Sequence, residues 1–232
     1  MIIWSHRGNP GPENSLAAFD AVHKLGIRNF ETDIQVTKDG VIVLSHDPHT
    51  GRLAKQKLTI NETSYVDLNR HENWISLQEP WGTLDELVAS FPDANISVDL
   101  KSDDSVPAIL SWLRGRKTDN LIFGSFRHSR VIELRTAFPR LNTALTPLEV
   151  SQIMIGKSLS RKQNWDFRKA MVPENFKGLR ITKDTFVNRC HESNIEVHVW
   201  VVNSLAQRDY LQNIGVDGIV TDDCHLFIAP GL

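Results

Sequence analysis

The sequence predicts an α/β protein with a parallel sheet covered by helices, the sheet either open or closed. Two patterns predict it. Short apolar, β-branched runs alternate with segments of helical period, and the residues able to do chemistry gather at the C-terminal ends of the first strands. With 41% apolar and 23% charged residues among 232, the chain can bury one substantial core, so a single domain over 1–232 is expected.

Residues 2–5 are the first strand candidate, and the run Ile2-Ile3-Trp4 is too brief for an export signal or a membrane span. A helix is predicted over 15–25, where Leu16, Phe19, Val22 and Leu25 recur at three-residue intervals. Asn14 or Ser15 can cap its first turn, and Gly26 ends it. Strands follow at 29–36 and 41–45. The intervening Thr37-Lys38-Asp39-Gly40 is too short for a parallel crossover, so the two strands form an antiparallel hairpin on the Asp39-Gly40 turn.

From about 49 to 81 the alternation fails, in a polar segment with Trp74, Pro80 and Trp81. It reads as an insertion at a strand end, either a substrate-selecting loop or a surface excursion. Beyond it, strands are predicted at 95–100, 121–126, 142–146, 170–172, 196–202 and 218–221, and helices at 84–90, 106–114, 129–137, 183–193 and 205–214. That gives nine strands where a closed β/α barrel takes eight, so one must be irregular.

The net charge of −2 gives no electrostatic footprint for nucleic acid or an anionic membrane, and stable membrane insertion is not expected. Cys190 and Cys224 could pair, but a chain without an export signal keeps its thiols reduced, which points to a cytoplasmic protein with two free buried thiols. No Cys/His cluster has the spacing of a zinc site.

Three clusters occupy equivalent strand ends: His6-Arg7, Glu31-x-Asp33 and His46-Asp47. Residues two apart on a strand share a face, so Glu31 and Asp33 converge while Thr32 turns away. Two such carboxylates either hold a hard cation, magnesium or calcium, or form a solvated edge pair. Asp99 and Lys101 repeat the spacing, as a third cation ligand with an ammonium for phosphate or as a mutual ion pair. Phosphodiester hydrolysis needs a base, an acid and a phosphate clamp, and His6, His46 and Arg7 supply those side-chain types. The other seven histidines carry structural readings, with His198 held in reserve because its strand can aim it into a barrel.

In family order and spacing, His6-Arg7-Gly8, Pro12-Glu13-Asn14-Ser15, Glu31-Thr32-Asp33, Thr37-Lys38-Asp39-Gly40 and His46-Asp47 resemble the glycerophosphodiester phosphodiesterases. Thr83-Leu84-Asp85-Glu86-Leu87, Ser125-Phe126, Trp200-Val201-Val202-Asn203 and the stretch from Gly215 to Asp222 extend the resemblance over nearly the full chain. It implies a somewhat distorted TIM-type (β/α)8 barrel, and hydrolysis of glycerophosphodiesters to sn-glycerol 3-phosphate and an alcohol with one Mg2+ or Ca2+. His6 and His46 would be general acid and base, one route being attack by the substrate's own glycerol hydroxyl to a cyclic phosphate that water opens. Glu31, Asp33 and Asp99 would bind the metal, Asp99 standing where the family has a longer Glu. Arg7, Asn14 and Lys101 would contact phosphate or hydroxyls, and Phe126 and Trp200 would wall the pocket. Strand alternation would turn Val201, a Thr in the family, away from Trp200 and Val202. Two alternatives are a lysophospholipase D-type reaction at the same site, which the charges and prolines of the insertion disfavour, and a barrel that binds without catalysis, which the Asp99 departure favours.

Overall fold

The computed structural model describes residues 1–76, 78–156 and 165–228. The chain runs β1 (Ile2–His6), α1 (Leu16–Lys24), β2 (Asn29–Val36), β3 (Ile42–Leu44), α2 (Tyr65–Leu68), α3 (Leu84–Ser90), β4 (Asn95–Leu100), α4 (Ser105–Trp112), β5 (Leu121–Gly124) and α5 (His128–Ala137). It continues through β6 (Thr143–Ala144), α6 (Pro147–Met154), β7 (Arg168–Pro173), β8 (Asn175–Phe176), β9 (Leu179–Arg180), α7 (Asp184–His191), β10 (Glu196–Trp200), α8 (Leu205–Asn213) and β11 (Gly218–Thr221).

Eight of these strands pair in parallel in the order β1-β2-β4-β5-β6-β7-β10-β11, and β11 returns to β1, so the sheet is closed. The irregular ninth strand is β3, which runs antiparallel to β2 as the Asp39-Gly40 turn required. β2 meets β1 only at Ser5↔Phe30 and His6↔Glu31, and from Ile34 onward the same edge pairs with β3. Where β1 stops, β3 takes its place, descending from the rim.

The helices form because their apolar faces have a barrel to cover. In α1, Ala18, Phe19 and Val22 are buried, Ser15 caps the first turn by accepting from the Ala18 amide, and Gly26 ends it at positive φ. Residues on the outer faces of β2 and β4, such as Phe30, Ile34, Ile96 and Val98, pack with α1, α3 and α4 in one cluster. A second cluster lies under α6, α7 and α8. The insertion has a small core of its own, in which Val43, Ile60, Leu68, Ile75 and Trp81 are buried together. At the barrel floor, the Trp4 indole donates to His198 Nδ1 at 3.1 Å, and the other ring nitrogen of His198 faces Glu196, itself paired with Lys169. His198 does point inward, but its partners hold it at the end away from the chemistry. The bond from His198 Nε2 to Glu196, with Lys169 beside it, holds the Glu196 pKa down to about 2. Cys190 and Cys224 are buried and unpaired, and among the described residues no helix is long and apolar enough to cross a membrane.

Helix α2 in the insertion, helix α6 and the β8–β9 hairpin lie outside the predicted pattern. Helix α6 carries Thr146 as N-cap, Pro147 in its first turn and Glu149 closing a capping box, a local start signal set between two strands. The β8–β9 hairpin turns on Lys177 and Gly178, both at positive φ. Helix α6 is pinned by a buried ion pair. Arg135 of α5 pairs with Glu149 at 2.5 Å and also donates to Thr143 Oγ1 and the Ala144 carbonyl of β6. Breaking a buried pair strands one charge, so Arg135→Ala is expected to cost about 3–5 kcal/mol in urea unfolding. A loss below about 1 kcal/mol would show the pair behaving like an exposed one.

Candidate active site

Three parallel strands and the descending β3 converge on one rim. His6 closes β1, Glu31 and Asp33 alternate along β2, Asp99 and Lys101 end and follow β4, and His46 lies two residues beyond β3. The Ser45 amide bonds to the Asp33 carbonyl, which sets the chain bearing His46 beside β2 just above the level where His6 pairs with Glu31. His6, Arg7, Glu31, Asp33, His46, Asp99, Lys101, Phe126 and Trp200 all line one cleft of about 530 Å³. The sequence placed these nine at a common site, and the fold brings them together.

Asn14 is the exception. It is buried behind Asp33, at positive φ, donating to Asp33 Oδ2 at 3.2 Å and accepting from Thr32 Oγ1 at 2.8 Å. It braces the carboxylate and does not line the cleft. The alternation expected beyond Trp200 also fails, because β10 ends there; Val201 lines the cleft beside Trp200, and Val202 is buried in the outer core.

Asp33 is 1% exposed and takes Arg7 Nε at 2.8 Å and Lys101 Nζ at 2.8 Å. Lys101 also reaches Asp99 at 2.5 Å, so its ammonium bridges two carboxylates. Glu31 is left out: its Oε2 is buried with no hydrogen-bond partner, 3.8 Å from His6 Nε2. Burial opposes the Asp33 charge, but Lys101 and Arg7 outweigh it and keep this carboxyl acidic. Burial raises the pKa of Asp99, with Lys101 offsetting part of the effect. Glu31 is pushed well above the ordinary carboxyl value, first by burial and then by the charges of Asp33 and Asp99.

Among the described residues, no three His, Cys, Asp or Glu side chains form a ready-made metal polyhedron. The donor set nevertheless suits a hard divalent cation. Three carboxylates against the charges of Arg7 and Lys101 leave one negative charge, and the orphaned Glu31 oxygen needs either a proton or a cation.

Both histidines are oriented by carboxylates. His6 Nδ1 is 2.6 Å from Asp222 Oδ1, and Asp222 is held by the amides of Asn9 and Asn203. His46 Nδ1 is 2.8 Å from Asp47, which also receives Arg52, and Arg52 forks onto Glu13. In each case the carboxylate engages Nδ1 and leaves Nε2 for the cleft. In the sequence Asp222 stands out only as the last residue of the stretch from Gly215. Its partner lies 216 residues away, a contact that no local pattern reveals.

Residues 6–226 match the Glycerophosphoryl diester phosphodiesterase family. The chain belongs to that family. A glycerophosphodiester phosphodiesterase of Bacillus altitudinis is 27% identical over 238 residues, covering 95% of this chain and 94% of the relative. The glycerophosphoryl diester phosphodiesterase domain of Rv2277c from Mycobacterium tuberculosis superposes with a TM-score of 0.80 at 17% identity, covering 96% of each chain. An Oleispira antarctica phosphodiesterase, solved in complex with the product sn-glycerol-3-phosphate, superposes at 0.76 with 18% identity, covering 96% of this chain and 93% of that one. The glycerophosphoryl diester phosphodiesterase family is one of phosphodiester hydrolases, and its barrel is the one the chain adopts.

Asp222→Asn keeps the shape of the side chain but can present an amide to His6, favouring the wrong tautomer. Turnover is expected to fall by about 10²–10⁴-fold, the range of one general acid–base group, with little change in melting temperature. An Asp222→Asn enzyme with near-normal kcat would remove Asp222 from the machinery.

Proposed function

We propose that the chain hydrolyses glycerophosphodiesters to sn-glycerol 3-phosphate and an alcohol, in a reaction dependent on a divalent cation. The observation that carries this reading is the placement of two carboxylate-oriented histidines on the rim of a cleft whose third carboxylate, Glu31, has a buried oxygen without a partner. A site that only binds does not need two oriented imidazoles, so the binding-barrel alternative loses its ground.

The phosphate enters between the basic side chains and the histidines. Arg7 and Lys101 already face the cleft, and their donors not spent on Asp33 and Asp99 are available to phosphoryl oxygens. Glu31, Asp33 and Asp99 would hold the cation, Mg2+ or Ca2+, which when bound neutralises charge on the phosphoryl oxygens. One histidine, its Nδ1 proton directed to its carboxylate, accepts the proton of the attacking hydroxyl at Nε2. The other, protonated, delivers a proton to the departing alcohol oxygen. The paired carboxylates stabilise the imidazolium form in turn and fix the rings in plane. Phe126 and Trp200, edge to face with centroids 5.8 Å apart, stand where the alcohol leaves and exclude water from one side of it.

The test is release of glycerol 3-phosphate from glycerophosphocholine and glycerophosphoethanolamine, after chelation and with magnesium, calcium or manganese restored singly. Metal-dependent release is expected, with His6→Ala and His46→Ala each lower by about 10²–10⁴-fold at unchanged fold. Release that survives chelation would defeat the cation assignment, and normal turnover in either variant would defeat the assignment of that histidine.

A further inference from the structure

The two histidines stand on unequal ground. His6 belongs to β1, is 17% exposed, and its carboxylate Asp222 is held by the side-chain amides of Asn9 and Asn203. His46 is 38% exposed and lies on the loop that follows β3, and its carboxylate is the next residue of that same loop. Asp47 uses both oxygens: Oδ1 meets His46 Nδ1 at 2.8 Å, and Oδ2 accepts from Arg52 Nε at 2.8 Å. The side chain that braces this carboxylate therefore comes from the insertion.

The guanidinium spends all three nitrogens on this contact. Nε goes to Asp47, while Nη1 and Nη2 donate to the two oxygens of Glu13 at 2.6 and 2.5 Å. A planar cation with donors on two edges joins two carboxylates at a fixed angle, which a lysine ammonium cannot do. Both ends are anchored. Glu13, on the loop between β1 and α1, is 13% exposed and lies 3.5 Å from Arg7 Nη1. The loop that carries Arg52 is closed by Thr50, a buried residue whose Oγ1 donates to the Gln56 carbonyl and accepts from the Leu58 amide. Neither Arg52 nor Glu13 lines the cleft, so their effect on turnover passes through the residues they hold. Ion pairs of a side chain 45% exposed add little to folding stability, so what the fork supplies is orientation.

Resting on the hydrolase reading above, we infer that Arg52 is a positioning residue for His46. Held by Glu13, its guanidinium fixes the Asp47 carboxylate, and the carboxylate keeps a proton on Nδ1 and the ring in one plane. Nε2 then presents its lone pair to the cleft, or its proton when the ring is charged. Without Arg52, Asp47 Oδ2 is released to water, the carboxylate gains rotational freedom, and the imidazole proton can move to Nε2. Glu13 adds a further link, because the carboxylate that seats Arg52 also stands beside Arg7. The insertion and the phosphate clamp thus share one anchor.

The experiment compares Arg52→Ala, Glu13→Gln, Asp47→Asn and the double variant Arg52→Ala/Asp47→Asn with the parent, all as metal-loaded full chains. Two readouts are taken: glycerophosphocholine kinetics, and nitrogen NMR of isotopically labelled histidine at a pH above the imidazole titration. The His46 signal is identified by its loss in His46→Gln. Arg52→Ala is expected to lower kcat by about 10–10²-fold, the upper figure being the cost of a ~1 Å misplacement, with KM within about twofold of the parent. The His46 tautomer should move from Nδ1–H toward a mixture, at a nearly unchanged melting temperature. Glu13→Gln, which keeps the shape and loses the charge, should move both readouts the same way by less. Because Arg52 acts through Asp47, the double variant should be no slower than Asp47→Asn alone. Normal kcat in Arg52→Ala, or losses that multiply in the double variant, would overturn the inference and leave the hydrolase reading standing. Should no diester be turned over, the spectrum still decides: a tautomer displaced in Arg52→Ala and Glu13→Gln upholds the inference, and an unchanged tautomer ends it.

Discussion

Three carboxylates on β2 and β4, two of them paired with Arg7 and Lys101, set the terms for the rest of this active site. Buried charge is tolerated only when it is paired. Asp33 satisfies that condition twice over and is kept acidic, whereas Glu31 keeps an oxygen without a partner and has its pKa pushed up by burial and its neighbours, a deficit that a cation would meet. The electrostatics of the cleft therefore depend on occupancy. Asp33 is braced from behind by Asn14 and paired with Arg7, so the deficit is concentrated at Glu31, 3.8 Å from His6 Nε2.

The barrel's irregularity serves this cluster. Had β1 run alongside β2 for its full length, no edge would be free at Ile34, and the segment bearing His46 could not reach the level of His6. The short β1 and the β2–β3 hairpin together deliver two histidines to one rim from positions forty residues apart in sequence. Each is then locked by a carboxylate drawn from a different part of the chain, Asp222 beyond β11 and Asp47 beside the insertion. The insertion acts on the site at a distance, through Arg52, and its own small core keeps that contact in place.

Much of this was legible in the sequence because it follows from local rules. The spacing of Glu31 and Asp33, the Asp39-Gly40 turn and the alternation of strands and helices are short-range patterns, and the structure reproduces them. What was not legible depends on long-range contacts or on strand length. The bond from Asp222 to His6 joins the two ends of the chain, and the lining role of Val201 follows from β10 stopping at Trp200. Helix α6 is different: Thr146, Pro147 and Glu149 announce it locally, but its eight residues lie between a two-residue strand and residues whose period gives no signal. Helix α6 also brings Val150 and Met154 to the cleft lining, a contribution that the alternation of strands does not foresee. Asp99 and Lys101 form the mutual ion pair that their spacing allows, and the pair lies within the cleft.

If the Glu31 deficit is the organising feature, a cation must stabilise the folded chain through that residue. The direct measurement is thermal unfolding of the protein and of Glu31→Gln, each after chelation and with magnesium or calcium at saturating concentration. A cation at a hundredfold excess over its Kd adds about 2.7 kcal/mol, or roughly 5–10 °C for a chain of this size. The parent protein should show that rise and Glu31→Gln should lose most of it, with the chelated variant melting no lower than the chelated parent. A parent protein indifferent to both metals, or an equal rise in the variant, would contradict the assignment of these carboxylates to a cation.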